Sequence, residues 1–135
     1  MTESPQTVLL PAAVSLRVPA HGEFVGLVRS LSASLAARCD LTVDEIDDLR
    51  IAVDEASGLL IPHADAGSDL SADVDLTAGR IEIVATVRVA DHNAEPDRTG
   101  FAWTVLEAVT NELEVLRETG RLAIRLVKQR EAVTS

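Results

Sequence analysis

Residues 40–56, DLTVDEIDDLRIAVDEA, carry the strongest structural signal in the chain. Thr42 is a favourable helix N-cap and Glu45 follows three positions later, which is the capping-box pattern. Apolar side chains then recur at helical intervals along one face, at Ile46, Leu49, Val53, Ala56 and Leu60. The pattern predicts an amphipathic helix that starts after Thr42 and runs to about Leu60, where Pro62 ends it.

The sequence before this helix predicts one strand and one further helix. Residues 15–18 alternate polar and apolar side chains and are followed by Pro19, which is typical of a short edge strand. Residues 23–38 carry apolar side chains at helical spacing, at Phe24, Leu27, Val28, Leu31 and Leu35. Residues 1–13 hold two prolines and few core candidates, so we expect a flexible leader there.

The sequence after the helix predicts two hairpins and one short helix. They lie at residues 70–76 with 81–89, at 112–117 with 121–128, and at 101–109. Few helices among strands that come in hairpins indicate an α+β fold. We expect a two-layer α/β sandwich, with about three helices on one face of a mostly antiparallel mixed sheet. This domain is expected to cover residues 14–130, followed by a tail at 131–135.

Length, charge and cysteine content restrict the function classes. A chain of 135 residues fits one domain, and its net charge of −10 disfavours binding to nucleic acid. No apolar run is long enough to cross a membrane, and the N-terminus lacks the basic segment of a secretory signal. Cys39 is the only cysteine, which excludes an internal disulfide. The expected location is the cytoplasm.

Three groups of polar residues could carry chemistry. Asp54 and Glu55 lie on the predicted helix away from its apolar face, where they form either a functional pair or a solvated surface. The loop 91–93, Asp-His-Asn, follows the longest strand and is either a site or an ordinary turn. The stretch 40–55 carries seven acids against Arg50 alone, which would either attract a basic partner or form an ordinary solvated helix face. Neither a glycine-rich nucleotide fingerprint nor a metal-binding histidine motif is present, so no metal site is expected.

The predicted strand, the two helices and the run DLTVDEIDDLRIAVDEA resemble the RsbW-type anti-sigma factors and serine-protein kinases. The resemblance covers about residues 14–130 and is closest to an actinobacterial anti-sigma-F branch with eroded nucleotide motifs. It implies the ATPase fold of histidine kinases. It also implies two protein partners: an RNA polymerase sigma factor, and an anti-anti-sigma protein of the STAS type whose serine the active members phosphorylate with ATP.

Carried over residue by residue, the family motifs are incomplete. Glu55 matches the catalytic base, but Leu59 stands where active members have an Asn that holds Mg²⁺. An aliphatic side chain offers no oxygen to this cation. Asp91 matches the residue that recognises adenine, and Gly100 is what remains of the last phosphate-binding motif.

The segment between these last two positions departs from the family as well. Asn93 and Glu95 occupy places where glycines are expected, and the lid from Asn93 to Gly100 has only about eight residues. We therefore predict weak or absent ATP and Mg²⁺ binding, and no meaningful kinase activity.

The partner-binding surface is expected to survive. By the resemblance, Arg29 in the first half of helix one contacts the sigma factor, and its guanidinium suits a carboxylate on that partner. The predicted function is an anti-sigma factor that sequesters an alternative sigma factor. The alternatives are an active ATP-dependent serine kinase and a non-catalytic scaffold with another partner. Family members pair through sheet edges, so residues 15–18 are expected to support a homodimer.

Overall fold

A computed structural model describes residues 10–131. In chain order the elements are β1 (Ala12–Pro19), α1 (Val25–Arg38), α2 (Val43–Leu60), β2 (Asp69–Thr77), β3 (Arg80–Arg88), α3 (Phe101–Val109), β4 (Glu112–Glu118) and β5 (Arg121–Gln129). Short 3₁₀ turns, Gly22–Phe24 and Ile61–His63, precede α1 and follow α2. Pro62 lies inside the second turn, so the regular α-helix stops just before it, as predicted.

The five strands form one sheet in the order β1-β2-β3-β5-β4, and every neighbouring pair is antiparallel. The three helices pack on one face, onto which the alternate residues Leu70, Ala72, Val74 and Leu76 of β2 project. The predicted α+β two-layer architecture is confirmed. The predicted mixed sheet is purely antiparallel, because α3 crosses over to β4 at the edge and β5 then returns between β3 and β4.

Helix α2 is the centre of the helical layer. Leu49, Val53, Ala56 and Leu60 of its predicted apolar face are buried, and each large side chain contributes about 1.5–3 kcal/mol through burial. Its N-terminus carries the predicted capping box: Glu45 N donates to Thr42 Oγ1 at 3.2 Å, and Thr42 N donates to Glu45 Oε1 at 2.8 Å.

Glu45 also fastens the end of β5 to the start of α2. The N–H of Glu131 donates to Glu45 Oε2 at 2.8 Å, and an Arg130–Asp40 ion pair lies beside it. Burial raises the pKa of the Glu45 carboxyl, but the N–H groups of Thr42 and Glu131 outweigh burial and leave the pKa below its usual value. The capping role of Glu45 can be predicted from the sequence. Its contact with the end of β5 cannot, because Glu131 is 86 positions away.

Helix α1 departs from its predicted apolar face. Leu27 is 56% exposed, so its assignment to the core is wrong. The buried face instead runs through Val28, Ser32, Leu35 and Ala36. Ser32 is accommodated because its hydroxyl donates to Val28 O at 2.8 Å, and the small Ser and Ala side chains let α1 approach its neighbours closely.

Strand β1 lies at a sheet edge, as predicted, but it is longer than residues 15–18. It begins at Ala12 and pairs with β2 from Ala12–Leu76 to Pro19–Asp69. Residues 1–9 and 132–135 of the predicted leader and tail lie outside the described residues. Among residues 10–131, no helix has the length and hydropathy to cross a membrane.

Candidate functional site

The face that α2 turns toward α3 holds the first two predicted site residues. Lys128 marks this face, because its Nζ donates to Asp48 Oδ2 on α2 at 3.0 Å and to the Val109 carbonyl at the end of α3 at 3.1 Å. Glu55 and Leu59 lie about two and three turns further along the same side of α2. Glu55 is partly exposed, whereas Leu59 is partly buried and packs against the core.

The loop before α3 is fastened down by its own contacts. Asp91 is exposed, and its Oδ1 accepts the N–H of Asn93 at 2.8 Å in a local turn. Ala94 and Pro96 are buried. Between them, Glu95 Oε1 lies 2.5 Å from Nη2 of Arg117 on β4. The segment predicted as a short lid is therefore attached to the edge strand.

The N-terminus of α3 already has an anion beside it. Asp97 Oδ1 accepts the Thr99 hydroxyl at 2.7 Å and the Thr99 N–H at 2.9 Å. These hydrogen bonds, with a smaller one from Gly100, hold the pKa of Asp97 below its usual value despite partial desolvation. A Cβ added at Gly100 would lie 2.9 Å from Asp97 Oδ2, so a larger residue there would displace this carboxylate from its present position.

The two aromatic residues of α3 have different environments. Trp103 is partly buried, packs against the core and has the Arg98 guanidinium 5.5 Å from its ring centroid. Phe101, by contrast, is 82% exposed. Leu106 is the one buried residue of α3.

The fourth predicted residue, Arg29, lies elsewhere, between α1 and the C-terminal half of α2. Its Nη1 donates to both carboxylate oxygens of Asp54, at 2.8 and 3.1 Å. Both side chains are about 40% exposed, so the pair contributes about 0–1 kcal/mol to stability. Arg29 and Asp54 were separate candidates in the sequence, and only the packing of the two helices brings them together.

A groove of about 500 Å³ surrounds this ion pair. Its lining includes two glycines, Gly26 on α1 and Gly58 on α2, together with Ile61 and Pro62. A Cβ at Gly58 would meet nothing within 4 Å, so the groove is open there. We call this feature the α1–α2 groove. One turn from Asp54 on α2, Ile51 is 42% exposed and adds apolar surface to this side of the helix.

The acidic stretch 40–55 is largely compensated by the fold. Four of its acids form ion pairs: Asp40–Arg130, Asp47–Arg50, Asp48–Lys128 and Asp54–Arg29. A fifth acid, Glu45, is buried in the helix cap. Three of these four bases come from outside the stretch, which a local charge count cannot reveal. The predicted strongly negative surface is therefore much weaker than the sequence implies. No group of three acids, histidines or cysteines in residues 10–131 is placed to hold a metal ion.

The architecture matches a solved fold. The chain superposes on a Mycobacterium tuberculosis chain that contains RsbU and RsbW domains, with a TM-score of 0.65 over 91% of this chain and 35% of that chain. The sequence identity is 15%, so this likeness shows the fold alone: an α+β domain with helices on one face of an antiparallel sheet.

Sequence relatives make the identification more specific. The chain is 39% identical over 77 residues to the serine-protein kinase RsbW of Halalkalibacterium halodurans, which is 56% of this chain and 48% of that protein. It is 30% identical over 106 residues to the anti-sigma-F factor RsbW of Mycobacterium tuberculosis, which is 78% of this chain and 62% of that protein. The predicted resemblance is confirmed: the chain is similar to RsbW-type serine-protein kinases and to an anti-sigma-F factor.

These relatives are longer than the matched region. The chain spans about half the length of the Halalkalibacterium protein and of the Bacillus subtilis serine-protein kinase RsbW, to which it is 38% identical over 78 residues. No family model matches the chain.

Proposed function

We propose that this chain is an anti-sigma factor that binds an alternative sigma factor by surface contact and has a degenerate ATP site. The name of its Mycobacterium tuberculosis relative, an anti-sigma-F factor, supports the partner class. The α1–α2 groove supplies a surface for that partner, with Arg29, Gly26 and Gly58 in its lining. The exposed Ile51 lies outside the lining, about one turn from Asp54 on α2.

The observation that carries the degenerate-site part of the proposal is the environment of Leu59. The residue lies on α2 where the family places a magnesium-holding amide, and its side chain packs against the core. Mg²⁺ requires oxygen ligands in near-octahedral geometry, which an isobutyl group cannot supply. The described residues do not fit a bound Mg-nucleotide, so no phosphoryl-transfer step is assigned to the chain.

The start of α3 supports the same conclusion. A helix N-terminus binds phosphate through free N–H groups and its positive dipole. Here the Asp97 carboxylate already accepts the Thr99 N–H, and a triphosphate would meet that negative charge. Asp91 is exposed as well, and its carboxylate accepts a hydrogen bond within a local turn instead of facing a pocket.

Arg29 is the residue on which sigma binding is proposed to depend. In the free protein its guanidinium is held in a defined position by Asp54, and both groups remain partly exposed. A carboxylate on the sigma factor can share Arg29 with Asp54 or displace it, since the arginine has further N–H donors.

The experiment is co-expression with candidate sigma factors, followed by titration of the purified pair with and without Mg-ATP. We expect one sigma factor to co-purify, with an affinity that does not depend on nucleotide. Failure to retain any sigma factor would favour the scaffold alternative, in which the fold serves another protein.

One observation favours the kinase alternative. Glu55, at the family's base position, is retained and partly exposed beside α3. Transfer of labelled phosphate from ATP to a serine of an anti-anti-sigma protein would establish this activity. We propose instead that such a protein releases the sigma factor by competition.

The oligomeric state and the location stay predictions. Among residues 10–131, strand β1 pairs on one side only, with β2, and its other side could pair with a second copy. A sedimentation mass equal to one chain would refute the proposed homodimer. We keep the cytoplasm as the proposed location.

A further inference from the structure

The open face of the sheet, opposite the helices, carries a cavity of about 470 Å³. It lies at the end of the sheet where β2 begins and β3 ends. Its lining includes three arginines, one each from β1, β3 and β5, and two hydroxyl residues that face each other across β2 and β3: Arg17, Arg88, Arg121, Ser71 and Thr86.

Two of these arginines form an unfavourable pair. Arg88 on β3 and Arg121 on β5 are directly opposite in the antiparallel register, and within residues 10–131 neither makes an ion pair. Like charges placed opposite each other destabilise a sheet. The arrangement is unusual in a chain that has 22 acids and 12 bases, because carboxylates are abundant enough to neutralise every arginine.

Elsewhere on this sheet face, arginines are neutralised by neighbouring carboxylates. Further along the same two strands, Arg80 and Arg125 share the carboxylates of Glu82 and Glu112, with Arg125 Nη2 2.9 Å from Glu82 Oε2. Each arginine there has an acid within ion-pair distance. Arg88 and Arg121 thus contrast with their neighbours on the same β3–β5 ladder.

The acids around the cavity do not neutralise this pair. Asp69 lies 3.4 Å from Arg17 Nε, and Asp73 accepts the Ser15 hydroxyl at 2.6 Å. Glu118 is opposite Arg121 in the β4–β5 register but lies beyond ion-pair distance. Two guanidinium groups without an ion-pair partner therefore line the cavity, together with the Asp73 carboxylate.

We propose that this cavity binds a small phosphorylated anion. Guanidinium groups bind phosphate through paired N–H···O contacts, and the Ser71 and Thr86 hydroxyls add neutral donors. The volume suits a small ligand. No aromatic side chain lines the cavity, so the phosphate groups, rather than a stacked base, are the recognised part. Binding of the anion would offset the repulsion between Arg88 and Arg121.

The test is a titration of the purified chain with pyrophosphate and with orthophosphate, at ionic strength matched with sodium chloride. Binding is measured by calorimetry, and the melting temperature is followed in parallel. We expect saturable binding of at least one phosphate species and a rise in melting temperature that chloride does not reproduce. Arg88→Gln and Arg121→Gln should each weaken binding by about tenfold or more.

Arg38 provides the matched control. It is exposed at the end of α1, makes no ion pair among the described residues and lies outside the cavity lining, so Arg38→Gln removes the same charge elsewhere. Its phosphate affinity should be unchanged. Without phosphate, Arg121→Gln should melt at a higher temperature than the parent chain, because the repulsion is gone.

Three results would overturn the proposal. One is the absence of saturable phosphate binding. Another is an equal loss of affinity in Arg38→Gln, which would indicate a general charge effect. The third is a shift in sedimentation mass on Arg88→Gln with phosphate affinity unchanged, which would assign the arginines to an interface between copies. None of these results bears on sigma binding, which uses the opposite layer.

Discussion

The α1–α2 groove and the segment 91–109 use their polar groups in opposite ways. In the groove, Arg29 and Asp54 pair with each other but stay about 40% exposed beside open space at Gly58. In the segment, Asp91, Glu95 and Asp97 are bound to the N–H of Asn93, to Arg117 and to Thr99. The groove thus offers a partner an arginine beside open space, whereas the segment offers a nucleotide three carboxylates, which repel its phosphates.

Both regions are built against α2, so a core substitution in this helix should have the largest effect on stability. Leu60→Ala should lower the free energy of unfolding by about 2–5 kcal/mol, because Leu60 is completely buried. Urea titration measures the loss. Ile51→Ala on the same helix is the control; with 42% of the side chain exposed it should change stability by about 0.5 kcal/mol or less. Equal losses would contradict the assignment of the two faces of α2.

Arg29→Glu tests the groove itself. We expect sigma binding to weaken at least about tenfold, or ~1.4 kcal/mol, since the new carboxylate repels both Asp54 and an acidic partner group. Pull-down titration gives the affinity.

Asp54→Asn separates the two possible roles of this ion pair. It releases Arg29 and should leave sigma affinity equal or higher, while costing the fold no more than Arg29→Gln does. A parallel loss of affinity in Asp54→Asn and Arg29→Gln would mean that the pair only positions the helices.

The sequence correctly predicts the features that depend on residues close together along the chain. The cap at Thr42, the turns at Gly79 and Gly120 and the bounds of α3 follow from patterns a few residues long, and all are confirmed. Leu27 could not be placed, because helical spacing does not say which side of a short, alanine-rich helix meets α2. The Arg29–Asp54 contact spans 25 positions and the Lys128–Asp48 contact spans 80, so no local pattern contains them.

The sequence predicts only part of the candidate site's geometry. Glu55 and Leu59 lie seven and eleven residues after Asp48, so helix periodicity alone puts all three on one side of α2. The sequence interpretation missed Asp97, whose carboxylate accepts hydrogen bonds from Thr99 in the turn before α3. A signal was present, because Asp97-Arg-Thr99 places an acid two residues before a hydroxyl at a helix start, a common local turn.

Glu45 gives the comparison a pH dependence. Its folded pKa lies below its ordinary value, so its contribution to stability is fully present above that ordinary value, which is about 4.3. The contribution is lost as pH falls through the lowered folded pKa. As pH is lowered from neutral through this window, the free energy of unfolding should decrease less steeply in Glu45→Gln than in the parent chain. An identical slope would contradict the proposal that Glu45 stabilises the fold by joining the end of β5 to the start of α2.

Gly58→Ala has the smallest expected effect on the fold. The new Cβ meets nothing within 4 Å on an exposed helical position, so the free energy of unfolding should rise by about 0.5–1 kcal/mol. If the partner occupies the α1–α2 groove, sigma affinity should fall although the protein is more stable. Higher stability with unchanged affinity would move the sigma factor away from this part of the groove.

The most direct measurement is the dissociation constant for the cognate sigma factor, determined with Mg-ATP and again after nucleotide has been removed by apyrase and EDTA. An anti-sigma factor that grips its partner by surface contact alone gives the same value in both conditions. Tight binding that appears only with Mg-ATP would show that α2 and α3 still hold a functional nucleotide site, and would contradict this account.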